Sequence, residues 1–156
     1  MCLGTLDKKK TRRSGEGYKV MRGKYAGGYH CMMNDSHSPE VQRKVYYQGR
    51  LYEDDHVETL GCEHEKDENL NNIFPDNRPK SERTYLSGYH ICESIYDVHE
   101  LNRAFFESGN HWLYQAILVK VKFSEVVVTG DQYGAHVIVA RKMQILHECK
   151  WDGRKA

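Results

Sequence analysis

Alternation of apolar and polar positions is clearest toward the C-terminal end of the chain. In Ile117–Phe123, the apolar Ile117, Val119, Val121 and Phe123 share one side while Lys120 and Lys122 take the other. That is the repeat of a half-buried strand. Glu125–Thr129 follows as a β-branched strand, and Gly130-Asp131-Gln132-Tyr133-Gly134 carries turn chemistry. Val137–Ala140 and Met143–Leu146 then read as one bent strand. Upstream the period changes. Ile95, Val98, Leu101 and Phe105 recur at helical spacing, Ser94 stands at an N-cap position with Asp97 completing a capping box, and Gly109 offers a stop. This predicts a helix over about 95–107, entered from a short strand at Tyr89–Glu93.

Shorter strands are expected at Tyr18–Arg22 and Gly28–Met33, and around the Gly49 turn within Val45–Tyr52. The order of elements points to an α+β fold: a mostly antiparallel sheet with one main helix and a C-terminal hairpin. Residues 54–83 break the pattern, being acidic, amide-rich and without a sustained period, so a long irregular loop is expected there. Its acids Asp54, Asp55, Glu63, Glu65, Asp67 and Glu68 are the expected contact residues for a partner. Residues 1–16 read as a flexible basic arm, 17–150 as a single domain and 151–156 as a tail.

Composition narrows the classes. The chain has 156 residues, enough for one core without metal or disulfide support. With 23 basic against 22 acidic side chains it lacks the overall charge of a general nucleic-acid binder. A local route to nucleic acid remains through Lys8, Lys9, Lys10, Arg12 and Arg13. No apolar run suits a membrane span or a secretory signal, and five scattered cysteines fit free thiols, so a cytoplasmic location is expected.

Three Cys/His pairs could carry chemistry: Cys62-Glu63-His64, His90-Ile91-Cys92 and His147-Glu148-Cys149. Residues two apart on an extended chain face the same way, so Cys62, His64, His90 and Cys92 form a possible tetrahedral zinc set. Buried thiols and hydrogen-bonded histidines are the simpler reading. A Tyr-x-x-Gly-Tyr-His pattern occurs at Tyr25–His30 and again at Tyr85–His90, but the residues after each copy diverge. A shared local need for glycine before an aromatic strand accounts for it better than duplication. Phosphate loops, dinucleotide fingerprints, nucleophile elbows and His-Glu-x-x-His are missing from the sequence.

From Ser87-Gly88-Tyr89-His90-Ile91-Cys92 onward, through Val119-Lys120-Val121, Val127-Val128-Thr129-Gly130 and Ala140-Arg141-Lys142-Met143-Gln144-Ile145, the chain resembles a family of small phage and prophage accessory proteins without an assigned activity. The resemblance implies a phage accessory context. Together with the missing catalytic motifs and the 54–83 loop, it leads to the expectation of a non-catalytic protein without a cofactor that binds a host or defence-system component in the host cytoplasm, as an inhibitor or host-takeover factor. The Gly-aromatic-His, helix, strand order is also similar to the second half of small ADP-ribosyltransferase folds. That alternative implies NAD as cosubstrate, with His30, Tyr89, His90 and Glu125 as nominal catalytic positions. A small zinc-binding module is the third reading.

Overall fold

The computed structural model describes residues 3, 5–7, 14–25, 27–31, 44–59, 79, 84–107, 116–132 and 134–151. Along the chain run β1 (Thr5–Leu6), β2 (Ser14–Tyr25), β3 (Gly28–Cys31), β4 (Leu51–Glu53), β5 (His56–Thr59), β6 (Thr84–Ser87), β7 (Tyr89–Cys92), α1 (Ile95–Glu107), β8 (Ile117–Gln132) and β9 (Ala135–Cys149). The fold is α+β, and every strand pairing among these elements is antiparallel.

The hairpin β8–β9 is the spine. Its pairing continues to Gln132–Ala135, with Gly134 at φ 85° in the turn. Gly130, Asp131 and Gln132, expected in a turn, therefore belong to the strand. One edge of β8 takes β2 over Ser14–Met21 and then β1; one edge of β9 takes β7 and then β4. β2 and β7 meet through the pair Tyr18–Cys92, so β8, β2, β7 and β9 close into a ring.

Alternation then sorts side chains. Met21, Tyr29, Tyr89, Ile91, Val119, Val121, Phe123, Ile138, Ala140, Met143 and Ile145 fill the interior. The other faces of the same strands carry Leu118 and Cys92, packed with Val98 of α1, and Val137 and Val139, packed with Leu3 and Tyr85. Leu101 of α1 touches both outer clusters, so the helix lies across the ring wall.

The helix spans Ile95–Glu107, as its periodicity predicts. Its cap is formed: the Asp97 amide donates to Ser94 Oγ at 3.2 Å, and Ser94 Oγ donates to Asp97 Oδ2 at 2.7 Å. Val98 is fully buried, whereas Ile95, at the entry turn, is 39% exposed.

Three expectations change. Of the segment 1–16 expected as an arm, Leu3 is buried, Thr5–Leu6 pair with β8, and Ser14–Glu16 open β2, while 8–13 lie outside the described residues. The irregular stretch expected over 54–83 contains β5, which pairs with β6 as a second, two-stranded sheet. Trp151, expected in the tail, packs on the Val98–Leu118 cluster, and 152–156 lie outside the described residues.

The repeated Tyr-x-x-Gly-Tyr-His pattern also gains a physical account. A Cβ at Gly88 would stand 2.5 Å from the Ala140 carbonyl oxygen, and one at Gly28 would stand 3.0 Å from that of Tyr46. In both places a bare backbone slides past a neighbouring chain, and the next residue, Tyr89 or Tyr29, turns into the ring.

Candidate functional site

The interior alternation of the spine resets in phase at Ser124–Glu125 on β8 and Arg141–Lys142 on β9. On β8, Phe123 and Val126 point inward and the intervening Ser124 and Glu125 do not; on β9, Met143 and Ala140 point inward and Lys142 and Arg141 do not. Ser124 pairs with Lys142 and Val126 with Ala140, so both strands present two successive outward residues at the same level. Glu125 makes this possible by adopting φ 57°, the left-handed region that a side chain with a Cβ enters at a cost. A register shift between Val126 and Val128 lies just beyond it. The hairpin thus turns a corner, and its outer side is charged.

That corner gathers an ion cluster. Arg141 Nη2 is 3.0 Å from Glu53 Oε1, its Nε is 3.3 Å from Asp55 Oδ2, and its Nη1 is 3.9 Å from Glu125 Oε2. Lys142 Nζ completes it at 3.1 Å from Glu125 Oε1. Glu53 and Asp55 lie on an extended run from β4 into β5. Along it Leu51, Glu53, Asp55 and Val57 are exposed and Tyr52, Asp54 and His56 are half-buried. Leu51 is 63% exposed and Val57 67%, and Val57 stands opposite Leu86 of β6, itself 47% exposed. The exposed side of this run therefore carries Leu51 and Val57 alternating with Glu53 and Asp55, the first hydrogen-bonded to Arg141 and the second within ion-pair range of it. Asp54 is turned away, with Oδ2 2.9 Å from His56 Nδ1, and its amide donates to the Arg141 carbonyl at 2.9 Å.

The expected catalytic positions do not converge. Tyr89 is buried in the ring, edge-on to Tyr46 at 5.7 Å between ring centroids. Burial pushes its phenol, and that of Tyr46, well above the usual tyrosine range. Tyr89 thus stays protonated at neutral pH, a poor proton acceptor. Glu125 lies on the outside of the corner, 45% exposed. His30 occupies the face of β3 opposite the buried Tyr29 and Cys31. His90 is buried on the outer wall with Nε2 3.1 Å from Ser87 Oγ, and its carbonyl accepts a 2.7 Å hydrogen bond from the buried Lys19.

Of the zinc set, Cys92 packs against Val20, Val98 and Leu118, while Cys62 and His64 lie outside the described residues. Among the described residues, no group of three or more His, Cys, Asp or Glu is placed to hold a metal ion. Glu63, Glu65, Asp67 and Glu68, with Lys8, Lys9, Lys10, Arg12 and Arg13, also lie outside them. Of the expected contact residues the structure brings Asp55 to the corner, alongside Glu125.

Sequence reasoning did not anticipate a second polar cluster. His136, opposite Asp131 at the turn end of β9, has Nε2 2.9 Å from Asp7 Oδ2 and Nδ1 2.9 Å from Glu93 Oε2. Thr129 Oγ1 donates to Asp7 Oδ2 at 2.6 Å, and the His136 amide donates to Asp97 Oδ1 at 2.9 Å. Burial pulls the imidazole pKa down, but the hydrogen bonds and charges of Asp7 and Glu93 outweigh it, and the net direction is up. The hydrogen bond from Thr129 and then that from His136 hold Asp7 low. Held between two carboxylates, the ring has neither nitrogen free to take a proton from a substrate or to bind a metal. No local spacing announces the cluster, because Asp7 and His136 are 129 positions apart.

Comparison with family models, with curated proteins and with solved structures returns no match to this chain. Among the described residues no helix is long and apolar enough to cross a membrane.

Proposed function

We propose that this chain acts by binding a protein partner through the corner face, and that in a phage accessory setting the partner is a host or defence-system component. The observation that carries the reading is the composition of that face: Leu51, Val57 and Leu86 exposed, and Arg141 hydrogen-bonded to Glu53 and within ion-pair range of Asp55 and Glu125. Exposed apolar groups beside an arginine hydrogen-bonded to Glu53 supply what protein interfaces use, namely apolar area to desolvate and a directional charge. Among the described residues the ion cluster sets three carboxylates against two cations, with no excess of positive charge. A phosphate backbone needs such an excess, so the face favours protein over nucleic acid.

The test places a photo-crosslinking side chain at Val57, with Tyr96 of α1 as an equally exposed control position. Crosslinking in host lysate is expected to yield one stoichiometric product from the Val57 position and none from Tyr96. Leu51→Ser combined with Val57→Ser is expected to move the melting temperature by no more than about 2 °C, since both residues are solvated in the fold. The same double variant is expected to lower partner affinity by about tenfold or more. Equal binding by the double variant and the parent, or a measured turnover that leaves the corner unused, overturns the proposal.

A further inference from the structure

We propose that His136 is a proton-operated clasp that fastens the N-terminal strand β1 to the spine, closed when the imidazole is charged and slack when it is neutral. The inference concerns the opposite end of the hairpin from the corner and does not depend on the corner's role.

The strap has two attachments. At one end Leu3 is buried against Tyr85, Ala135, Val137 and Val139, and its amide donates to the Tyr85 hydroxyl at 2.9 Å. At the other end the Asp7 amide donates to the Thr129 carbonyl at 2.9 Å and the Asp7 carboxylate meets both Thr129 Oγ1 and His136 Nε2. Between them β1 contributes a single short pairing, Thr5–Asp131 and Leu6–Gly130. A strand this short contributes little by itself, so its side-chain anchors decide how firmly it sits.

The ring at the second anchor is half-exposed and joins three separate parts of the fold: β1 through Asp7, the link before α1 through Glu93, and β9 itself. Among the described residues, the charged groups that face it are Asp7, Glu93, the Asp97 carboxylate on its own amide, and Asp131 opposite it in register. Glu100 of α1, near Gly134, is already paired with Arg103. These four are all carboxylates. Only a doubly protonated imidazole can donate to Asp7 and Glu93 together; a neutral ring carries one N–H and leaves one carboxylate facing a lone pair. Loss of the proton thus turns a bridge into a local excess of negative charge. The raised direction of its pKa places the change above the ordinary histidine range. Release of β1 would uncover the Leu3 pocket and the β8 edge at Thr129–Asp131, both closed in the clasped form.

The test is nuclear magnetic resonance on the full chain, following the His136 ring through a pH titration and the exchange of the Asp7 amide on either side of its midpoint. The expected result is a midpoint above the ordinary value of 6.5. Asp7 protection, corrected for intrinsic exchange, is expected to fall severalfold as the ring loses its proton, while Val139 and Ile145 amides keep theirs. His136→Gln is expected to give the weak Asp7 protection at every pH. A midpoint at or below 6.5, or Asp7 protection that is indifferent to the titration, overturns the clasp. Both wild-type readouts stand even where the variant folds poorly.

Discussion

Glu125 is a strand residue with a turn residue's backbone. Its φ of 57° lets Phe123 and Val126 both face inward across a two-residue gap. At an exposed strand position, valine ordinarily improves stability through its β propensity. Here Glu125→Val is expected to destabilise by about 1–2 kcal/mol in denaturant unfolding, because a β-branched side chain is the worst fit for that region. Glu125→Gly, which removes the strain but adds chain entropy, is expected to be close to neutral. A stabilising valine would mean that the corner is not built on the left-handed residue. Gly88→Ala is a stricter case. Its Cβ would stand 2.5 Å from the Ala140 oxygen and 3.0 Å from that of Asp54, both backbone atoms, so the strands must part, at an expected cost of about 2–3 kcal/mol. The sequence does mark both sites. Ser124-Glu125 and Arg141-Lys142 interrupt two apolar runs; the first reads as a gap between strands and the second as a bend, because a gap, a bend and a phase reset look alike along one chain.

Elements governed by local rules could be read directly. The helix at Ile95–Glu107 follows from its apolar spacing and from a cap that closes within three residues. Ser94→Ala is expected to lower stability by about 1 kcal/mol, with Ser94→Asp recovering most of it, in paired thermal melts. No effect would place the helix's stability wholly in its contacts with the ring. Elements that depend on distant partners were harder. Glu125–Thr129 and Ile117–Phe123 merge into one β8, and Val137–Ala140 and Met143–Leu146 form the one bent strand expected of them within β9, because continuous pairing carries the hydrogen bonds across the corner. β5 lacks apolar alternation and exists through its pairing with β6, which no local signal predicts. In the corner site Asp55 and Glu125 were both singled out, but for different reasons. Arg141, which joins them, had only the look of a surface charge.

At the scale of the molecule, charge pairs between distant segments set the response to pH. Asp7 has a folded pKa below the ordinary 3.8, so its contribution is present above that value and is lost as pH falls through the lower folded one. His136 has a folded pKa above the ordinary 6.5, so its contribution is complete below 6.5 and is lost as pH rises through the higher folded one. Thermal stability is therefore expected to be greatest between these limits. His136→Gln should remove the alkaline decline and leave the loss below about pH 4 that carboxylate protonation causes. An alkaline decline of equal size in the variant would assign it to other groups.

The ring has a further consequence, for the order in which the chain acquires its shape. β2 reaches its partner β8 only across the whole intervening sequence, from Ser14 to Ser124, and β7 and β4 both wait for β9. The hairpin on which all of them assemble is thus the last of the described elements to leave a ribosome. A nascent chain carrying everything up to α1 has no spine to pair with and would remain a substrate for chaperones. Stalled chains are expected to stay protease-sensitive until β9 has cleared the exit tunnel, then become resistant in a single step.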